Sequence, residues 1–178
     1  QISEQSIVLL KNDGNVLPLD KTALQSIAII GAIADSVPKD WYGGNAPYKI
    51  TSRAGIIAKV GTGVTINYAA NNTNSAAVNA ARSSDVAIVF VGNHPTCGAG
   101  WAQCPNASEG KESVDRKAIA LESAQETMIQ QVYAANPKTI VVLISSFPYA
   151  ITWAKDSIPA ILHMTHCSQE TGNALADV

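Results

Sequence analysis

Apolar residues in this chain come in short unbroken runs separated by stretches of a different period. Ser26 to Ile33 (SIAIIGAI), Val64 to Tyr68, Val86 to Val91, Thr139 to Ser145 (TIVVLIS) and Ala160 to Thr165 (AILHMT) are mostly β-branched and are bounded by Gly, Pro, Asn, Asp or Ser. Runs of this kind suit strands, and all but Val64 to Tyr68 read as buried. Between them the apolar spacing changes to three and four. Leu121, Ala124, Met128, Val132 and Ala135 predict a helix over Ala118 to Ala135, stopped by Asn136-Pro137. Thr51 or Ser52 opens a helix carrying Ile56, Ile57 and Val60 before Gly61, and Ser75 to Arg82 is a short Ala-rich helix. Ser168 or Thr171 opens a last helix that runs to Val178. At the start, SEQSIVLLKNDGNVLPL reads as the last turns of a helix with Ile7 to Leu10 as its apolar face, ended by Asn12-Asp13-Gly14-Asn15. Strand and helix alternate, which predicts an α/β fold. Its form is a doubly wound, mainly parallel sheet of five to six strands with helices on both faces, a flavodoxin-like sandwich with Val86 to Val91 near its middle.

The longest aperiodic stretch follows that central strand. From Gly92 to Arg116 the sequence is rich in Gly, Pro, Asn, Cys, Trp, Glu and Lys and has neither a helical nor an alternating period. Long loops inside a compact domain are uncommon and usually functional, and in an open α/β sheet sites are built at the carboxyl ends of the strands.

Composition narrows the classes. The 178 residues fit one domain, 47% hydrophobic but only 15% charged, against an average near ~25% charged. A net charge of -2 with 12 basic residues and no basic cluster leaves no footprint for nucleic acid, and no apolar run reaches the ~18 residues of a membrane-spanning helix. Gln1 opens the chain with neither an initiator Met nor a signal-peptide pattern, so the chain reads as an excised or mature-numbered piece. Cys97 and Cys104 enclose six residues, a spacing that fits no standard zinc site. They admit a loop-stapling disulfide or two free thiols. No metal or cofactor is expected, and no G-x-G-x-x-G follows Gly31 or Gly92.

Five fragments, in this order, carry a resemblance: SIVLLKNDGNVLPL, the strand IAIIG, the strand DVAIVFVG with a loop ending in SEG and DR, AANPKTIVVLIS, and QETGNALADV. Together they resemble the second, α/β-sandwich domain of glycoside hydrolase family 3 over nearly the whole chain. The resemblance implies an exo-acting retaining β-glycosidase, of β-glucosidase or β-xylosidase type, acting on β-linked glucoside or xyloside oligosaccharides. It further implies an N-terminal (β/α)8-type barrel, absent here, that carries the Asp nucleophile, while residues 1–178 form a single domain lending a Glu from the long loop. Retaining hydrolysis places two carboxyl groups ~5 Å apart across the sugar, and a loop reaching out of a sheet can carry one of them to a neighbour's pocket. Glu109, in its Ser-Glu-Gly setting, is the expected general acid/base. Glu112, three residues before the Asp115-Arg116 pair, is the alternative. Asp115 and Arg116 are expected to hold the loop by an ion pair and hydrogen bonds.

Other residues have two readings each. Read alone, SEGKESVDR is a solvated surface run, and Lys111 either faces solvent or steadies a carboxylate. His94 is a polar site contact or an ordinary turn histidine. Trp101 stacks on a sugar ring or packs the loop down. His163, His166 and Cys167 suggest a Cys/His nucleophile pair, but two His separated by two residues on a strand do not share a face, which favours a structural cluster. Trp41 to Pro47 lines a sugar or covers a sheet edge, with the second preferred. A periplasmic or secreted location is favoured; there Asn71-Asn72-Thr73 and Asn106-Ala107-Ser108 would be glycosylation sequons. The competing reading is a stand-alone flavodoxin-like binding domain without catalysis, and a barrel encoded upstream of Gln1 separates the two.

Overall fold

The computed structural model describes residues 2–39, 42–96, 116, 118–165 and 169–178. Among them six strands form one sheet: β1 (Val8–Asn12), β2 (Ser26–Ile30), β3 (Thr65–Ala69), β4 (Val86–Gly92), β5 (Thr139–Ile144) and β6 (Ala160–Met164), in the order β1-β6-β5-β4-β2-β3. β2 to β6 pair in parallel, and β1 alone runs antiparallel, against β6. The helices are α1 (Ile2–Gln5), α2 (Ser52–Val60), α3 (Ala76–Arg82), α4 (Ser123–Ala135), α5 (Thr152–Ser157) and α6 (Thr171–Asp177).

Why the apolar runs are unbroken is plain from the burial. Along β4, Ala87, Val89 and Val91 point into a core shared with Ala77, Ala81, Ile129 and Val132 of α3 and α4. The alternate residues Val86, Ile88 and Phe90 point into a second core with Ile56 of α2 and Leu175 of α6. A strand walled by helices on both faces has no polar position to spare, and each fully buried Val, Ile or Phe contributes about 1.5–3 kcal/mol. On one side α2 and α6 press close: a Cβ on Gly55 would stand 2.1 Å from the carbonyl of Gly172, so the contact is backbone on backbone. Thr51 caps α2 by accepting the Ala54 N–H at 3.1 Å.

Three expectations about element boundaries are corrected. The N-terminal segment is not the end of a helix. Only Ile2–Gln5 is helical, and Val8–Asn12 is an edge strand, paired Val8 to His163 and Asn12 to Ala160 with a bulge between Leu9 and Lys11. Ile7 to Leu10 is a continuous apolar run with no three-four spacing, and β6 offers it a free ladder. Second, the long helix begins at Ser123 rather than Ala118, because Ala120 makes a parallel bridge to Ala150. Third, β2 ends at Ile30: Gly31 has φ +110 and leads into a 3-10 turn over Ala32–Asp35. The helix α5 over Thr152–Ser157 had no counterpart in the sequence pattern, being too short to show a period.

Polar side chains fix the amino-terminal end of the sheet. The Asp85 carboxylate accepts the main-chain N–H groups of Gln25 at 2.7 Å and Ser26 at 2.9 Å, which join the start of β2 to the start of β4 and hold this carboxyl below its ordinary range. Asn136, after α4, donates to the carbonyls of Ala81 at 3.0 Å and Ser84 at 2.8 Å and accepts the Lys138 N–H at 2.9 Å.

Candidate functional site

The chain runs outward from β2 to β3, then crosses back over β2 to β4 and continues through β5 to β6. The order of winding therefore reverses between β2 and β4, and at the carboxyl end of such a reversal the two connections diverge and leave a crevice. An open cleft of about 840 Å³ lies there, walled by Gly31, Ile33 and Ser36 after β2, by Asn71 and Asn72 after β3, by Gly92 and His94 after β4, and by Gln125 and Met128 of α4.

Gly92 is the root of the long segment. Its φ of +129 is a glycine conformation, and a Cβ there would sit 1.8 Å from the Ile144 carbonyl oxygen of β5. The next residue, Asn93, donates its N–H to that same oxygen at 3.1 Å. The N–H groups of Ala87 and Asn93 turn toward β5, so by the two-residue alternation Gly92 turns its peptide groups toward β2. Pairing with β2 has already ended at Ile30 and Val89. Gln125 fills the gap: its Oε1 accepts the Gly92 N–H at 2.7 Å and its Nε2 donates to the Gly92 carbonyl at 2.9 Å. Nε2 also donates to the Glu122 carboxylate at 3.3 Å.

His94 stands at the edge of the cleft with its Nδ1 turned to its own turn, 2.9 Å from the Thr96 carbonyl and 3.2 Å from the Thr96 nitrogen. The Thr96 hydroxyl donates to the Lys39 carbonyl at 3.3 Å, tying this turn to the segment after β2. At the far end of the long segment, Arg116 donates to the carbonyls of Ala120 at 2.8 Å and Pro148 at 3.1 Å, and its guanidinium lies 4.0 Å over the ring of Tyr149. Burial raises the Tyr149 phenol, and the Arg116 charge opposes that rise. Ala150 donates its N–H to the Ile119 carbonyl at 2.8 Å, and Leu121 its N–H to the Ala150 carbonyl at 3.4 Å. The chain is thus laid against the β5 connection before α4 begins.

Of the residues picked out from sequence, His94 and Arg116 are described and flank the two ends of the segment. Glu109, Glu112, Trp101, Lys111 and Asp115 lie outside the described residues, as do Cys97, Cys104, His166, Cys167 and Trp41. His163 faces the end of β5, with its Nε2 3.3 Å from the Ser145 hydroxyl, which itself donates to the Phe147 carbonyl at 2.9 Å. Gln125 and Tyr149 were missed. A signal for Gln125 did exist: it sits four residues before Ile129 and seven before Val132, both fully buried, so a polar amide occupies a position of the apolar stripe.

The geometry has close relatives. A β-xylosidase of Formosa agariphila is 32% identical over 195 residues, taking in all of this chain and 25% of that protein. An exo-α-(1→6)-L-arabinopyranosidase of Bifidobacterium breve is 34% identical over 197 residues, again all of this chain and 24% of that protein. The crystal structure of the β-D-glucoside glucohydrolase of Trichoderma reesei superposes with a TM-score of 0.78 at 30% identity, covering 99% of this chain and 27% of that one. The chain spans about a quarter of the length of each. Residues 7–178 match the model of the glycosyl hydrolase family 3 C-terminal domain, and with that match and these identities the chain belongs to glycoside hydrolase family 3, as its C-terminal domain.

Proposed function

We propose that this domain supplies the general acid/base of a retaining, exo-acting β-glycosidase of β-glucosidase or β-xylosidase type, with Glu109 as the proton donor. The observation that carries the reading is the root of the long segment. It leaves the carboxyl end of the central strand, where Gln125 and Ile144 hold Gly92 and Asn93 on either side, and it returns through Arg116 onto Ala120 and Pro148. A carboxylic acid delivered to a neighbouring pocket needs such a mounting, because proton transfer falls off steeply with misplacement.

In this mechanism an Asp of the N-terminal barrel attacks the anomeric carbon while Glu109 passes its proton to the departing glycosidic oxygen. Water then attacks the glycosyl-enzyme, with the Glu109 carboxylate taking the water's proton and so restoring the acid. Asp115 and Arg116 support the segment, Trp101 and His94 are its sugar-facing candidates, and Lys111 is the cation that would steady a carboxylate. The relatives are named for xylosides, glucosides and arabinopyranosides. A domain common to all three fits a division of labour in which the barrel grips the sugar and this domain moves the proton. The test is Glu109→Ala in the full-length enzyme. The kcat/KM on alkyl glycosides should collapse while dinitrophenyl glycosides, whose leaving group needs no proton, keep most of theirs. For the latter kcat falls because deglycosylation has lost its base, and azide, which attacks the glycosyl-enzyme without one, should restore part of that loss. If Glu112→Ala behaves in that way and Glu109→Ala does not, Glu112 is the acid/base.

A further inference from the structure

We infer that Gln125 is a positioning residue for catalysis, its side-chain amide acting as the missing strand partner that fixes the exit direction of the segment bearing the acid/base. The inference rests on the proposed role of that segment and adds a residue to it.

The argument begins with what β4 lacks. Inside the sheet each peptide group of β4 finds its partner on β5 or β2, but β2 stops pairing at Ile30 and turns away at Gly31. Gly92 therefore has an N–H and a carbonyl on the side of β2 with no strand to meet them. A continuing β2 would have offered a carbonyl from one residue and an N–H from the residue two further on, both turned toward Gly92. The primary amide of Gln125 offers the same pair, at 2.7 Å and 2.9 Å. At neutral pH only Asn and Gln present an acceptor and a donor side by side on one planar group, and from the first turn of α4 the longer Gln makes the reach. The same substitution of side chain for backbone recurs among the described residues, where Asn12 clasps the Leu17 N–H at 3.0 Å and carbonyl at 2.9 Å. There it folds back a surface turn; at Gly92 it sets where the long segment begins.

The position makes Gln125 more than a packing group. On the opposite side of the strand Asn93 is already bonded to Ile144, and Gly92 lacks the Cβ that would restrict its φ. With Gln125 removed, Gly92 can rotate about a backbone that glycine leaves free, and the segment beyond changes direction while both cores stay intact. The expected signature is loss of proton delivery with retention of the fold and of the nucleophile's chemistry.

The experiment uses the full-length enzyme and two substrate classes, a dinitrophenyl β-glycoside and an alkyl β-glycoside of the same sugar. Gln125→Met keeps the side-chain length and removes both hydrogen bonds. Its kcat/KM on the alkyl glycoside should fall about 10- to 100-fold further than on the dinitrophenyl glycoside, the scale of a displaced catalytic group. Equal losses on both classes, or none, would overturn the inference. Should Gln125→Met fail to fold, Gln125→Glu decides: a neutral carboxylic acid presents the same acceptor and donor, whereas the carboxylate turns an oxygen toward the Gly92 carbonyl. Relative to wild type at each pH, the alkyl-glycoside deficit of Gln125→Glu should close as the pH falls and reopen as it rises; a deficit constant with pH would overturn the inference. Glu122, whose carboxylate adjoins the Gln125 amide, and His94 of the same cleft are left unchanged in every variant. Glu109→Ala and Glu112→Ala are run in the same panel. If neither discriminates between leaving groups, the acid/base reading fails and this inference with it; if one does and Gln125 does not, only the positioning role falls.

Discussion

Replacing Arg116 by Ala should release the return end of the long segment without unfolding the sheet. Two charge-assisted hydrogen bonds, to Ala120 and Pro148, and a stack on Tyr149 are lost. Hydrogen bonds to charged groups run about 1.5–3 kcal/mol and an exposed cation-π contact about 0.5–1 kcal/mol. Arg116 is only half-buried and both carbonyls regain water, so less than half of that sum survives screening, about 2 kcal/mol. At about 1.4 kcal/mol per factor of ten, the local opening equilibrium shifts about 30-fold. The amides that report it are the Ala150 N–H, bonded to Ile119, and the Leu121 N–H, bonded to Ala150. Their hydrogen exchange should quicken about 30-fold, while amides of the buried β5 strand keep their protection. A second readout is independent of exchange. Arg116 opposes the rise that burial imposes on the Tyr149 phenol, so its loss should move the ultraviolet titration of Tyr149 further up. Arg116→Lys keeps the charge but not the forked donor and should fall between. Exchange at Ala150 and Leu121 within about threefold of wild type, or equal acceleration throughout β5, would refute the anchoring of this end.

Asn136→Ala removes one donor from each of the Ala81 and Ser84 carbonyls and the acceptor of the Lys138 N–H. The Ala81 carbonyl keeps the Ser84 N–H and the exposed Lys138 regains water, so urea denaturation should show the loss of about one buried group, about 1–3 kcal/mol, and no measurable loss would contradict the assigned network. Glu170 accepts from the Tyr48 hydroxyl and from Asn173 at 2.6 Å, which holds its carboxyl below the ordinary range. A carboxyl depressed in the folded state stabilises above its unfolded value, ~4.3, and that stabilisation is lost as the pH falls through the folded value; the Tm advantage of wild type over Glu170→Gln should therefore be present at pH 6 and shrink as the solution is acidified, and a constant difference would exclude it. The 178-residue chain alone should hydrolyse neither aryl β-glucosides nor aryl β-xylosides, since the proposed nucleophile lies outside it; turnover abolished by one Asp or Glu substitution within the chain would overturn the proposed mechanism.

The parallel core was legible because burial on both faces leaves a simple trace, an unbroken apolar run ended by Gly or Ser, and β4 and β5 follow that trace closely. β1 was misread because an edge strand next to a helix turn has the same local composition as a helix end; only β6, far along the chain, decides between them. The start of α4 was placed too early for a similar reason, since the bridge from Ala120 to Ala150 is a tertiary contact with no local signature. At the site, the Ser-Glu-Gly and Asp-Arg fragments directed attention to the long segment itself. What mounts it, Gln125 and Tyr149, went unnoticed, because a single amide in an apolar stripe gains meaning only when its main-chain partner is in view.

Both ends of the long segment are clamped by side chains that belong to its neighbours or to its own last residue. Gly92 is held by Gln125 and the return by Arg116, so neither support depends on how many residues lie between them. Loop closure depends on length only logarithmically, about 0.6 kcal/mol for each doubling. The closure entropy that the sheet bears is therefore only weakly sensitive to the number of residues between the clamps. In effect the mounting is independent of its load: the hydrogen bonds of Gln125 to Gly92 and of Arg116 to Ala120 and Pro148 would serve a segment of another length without a change in β4, β5 or α4.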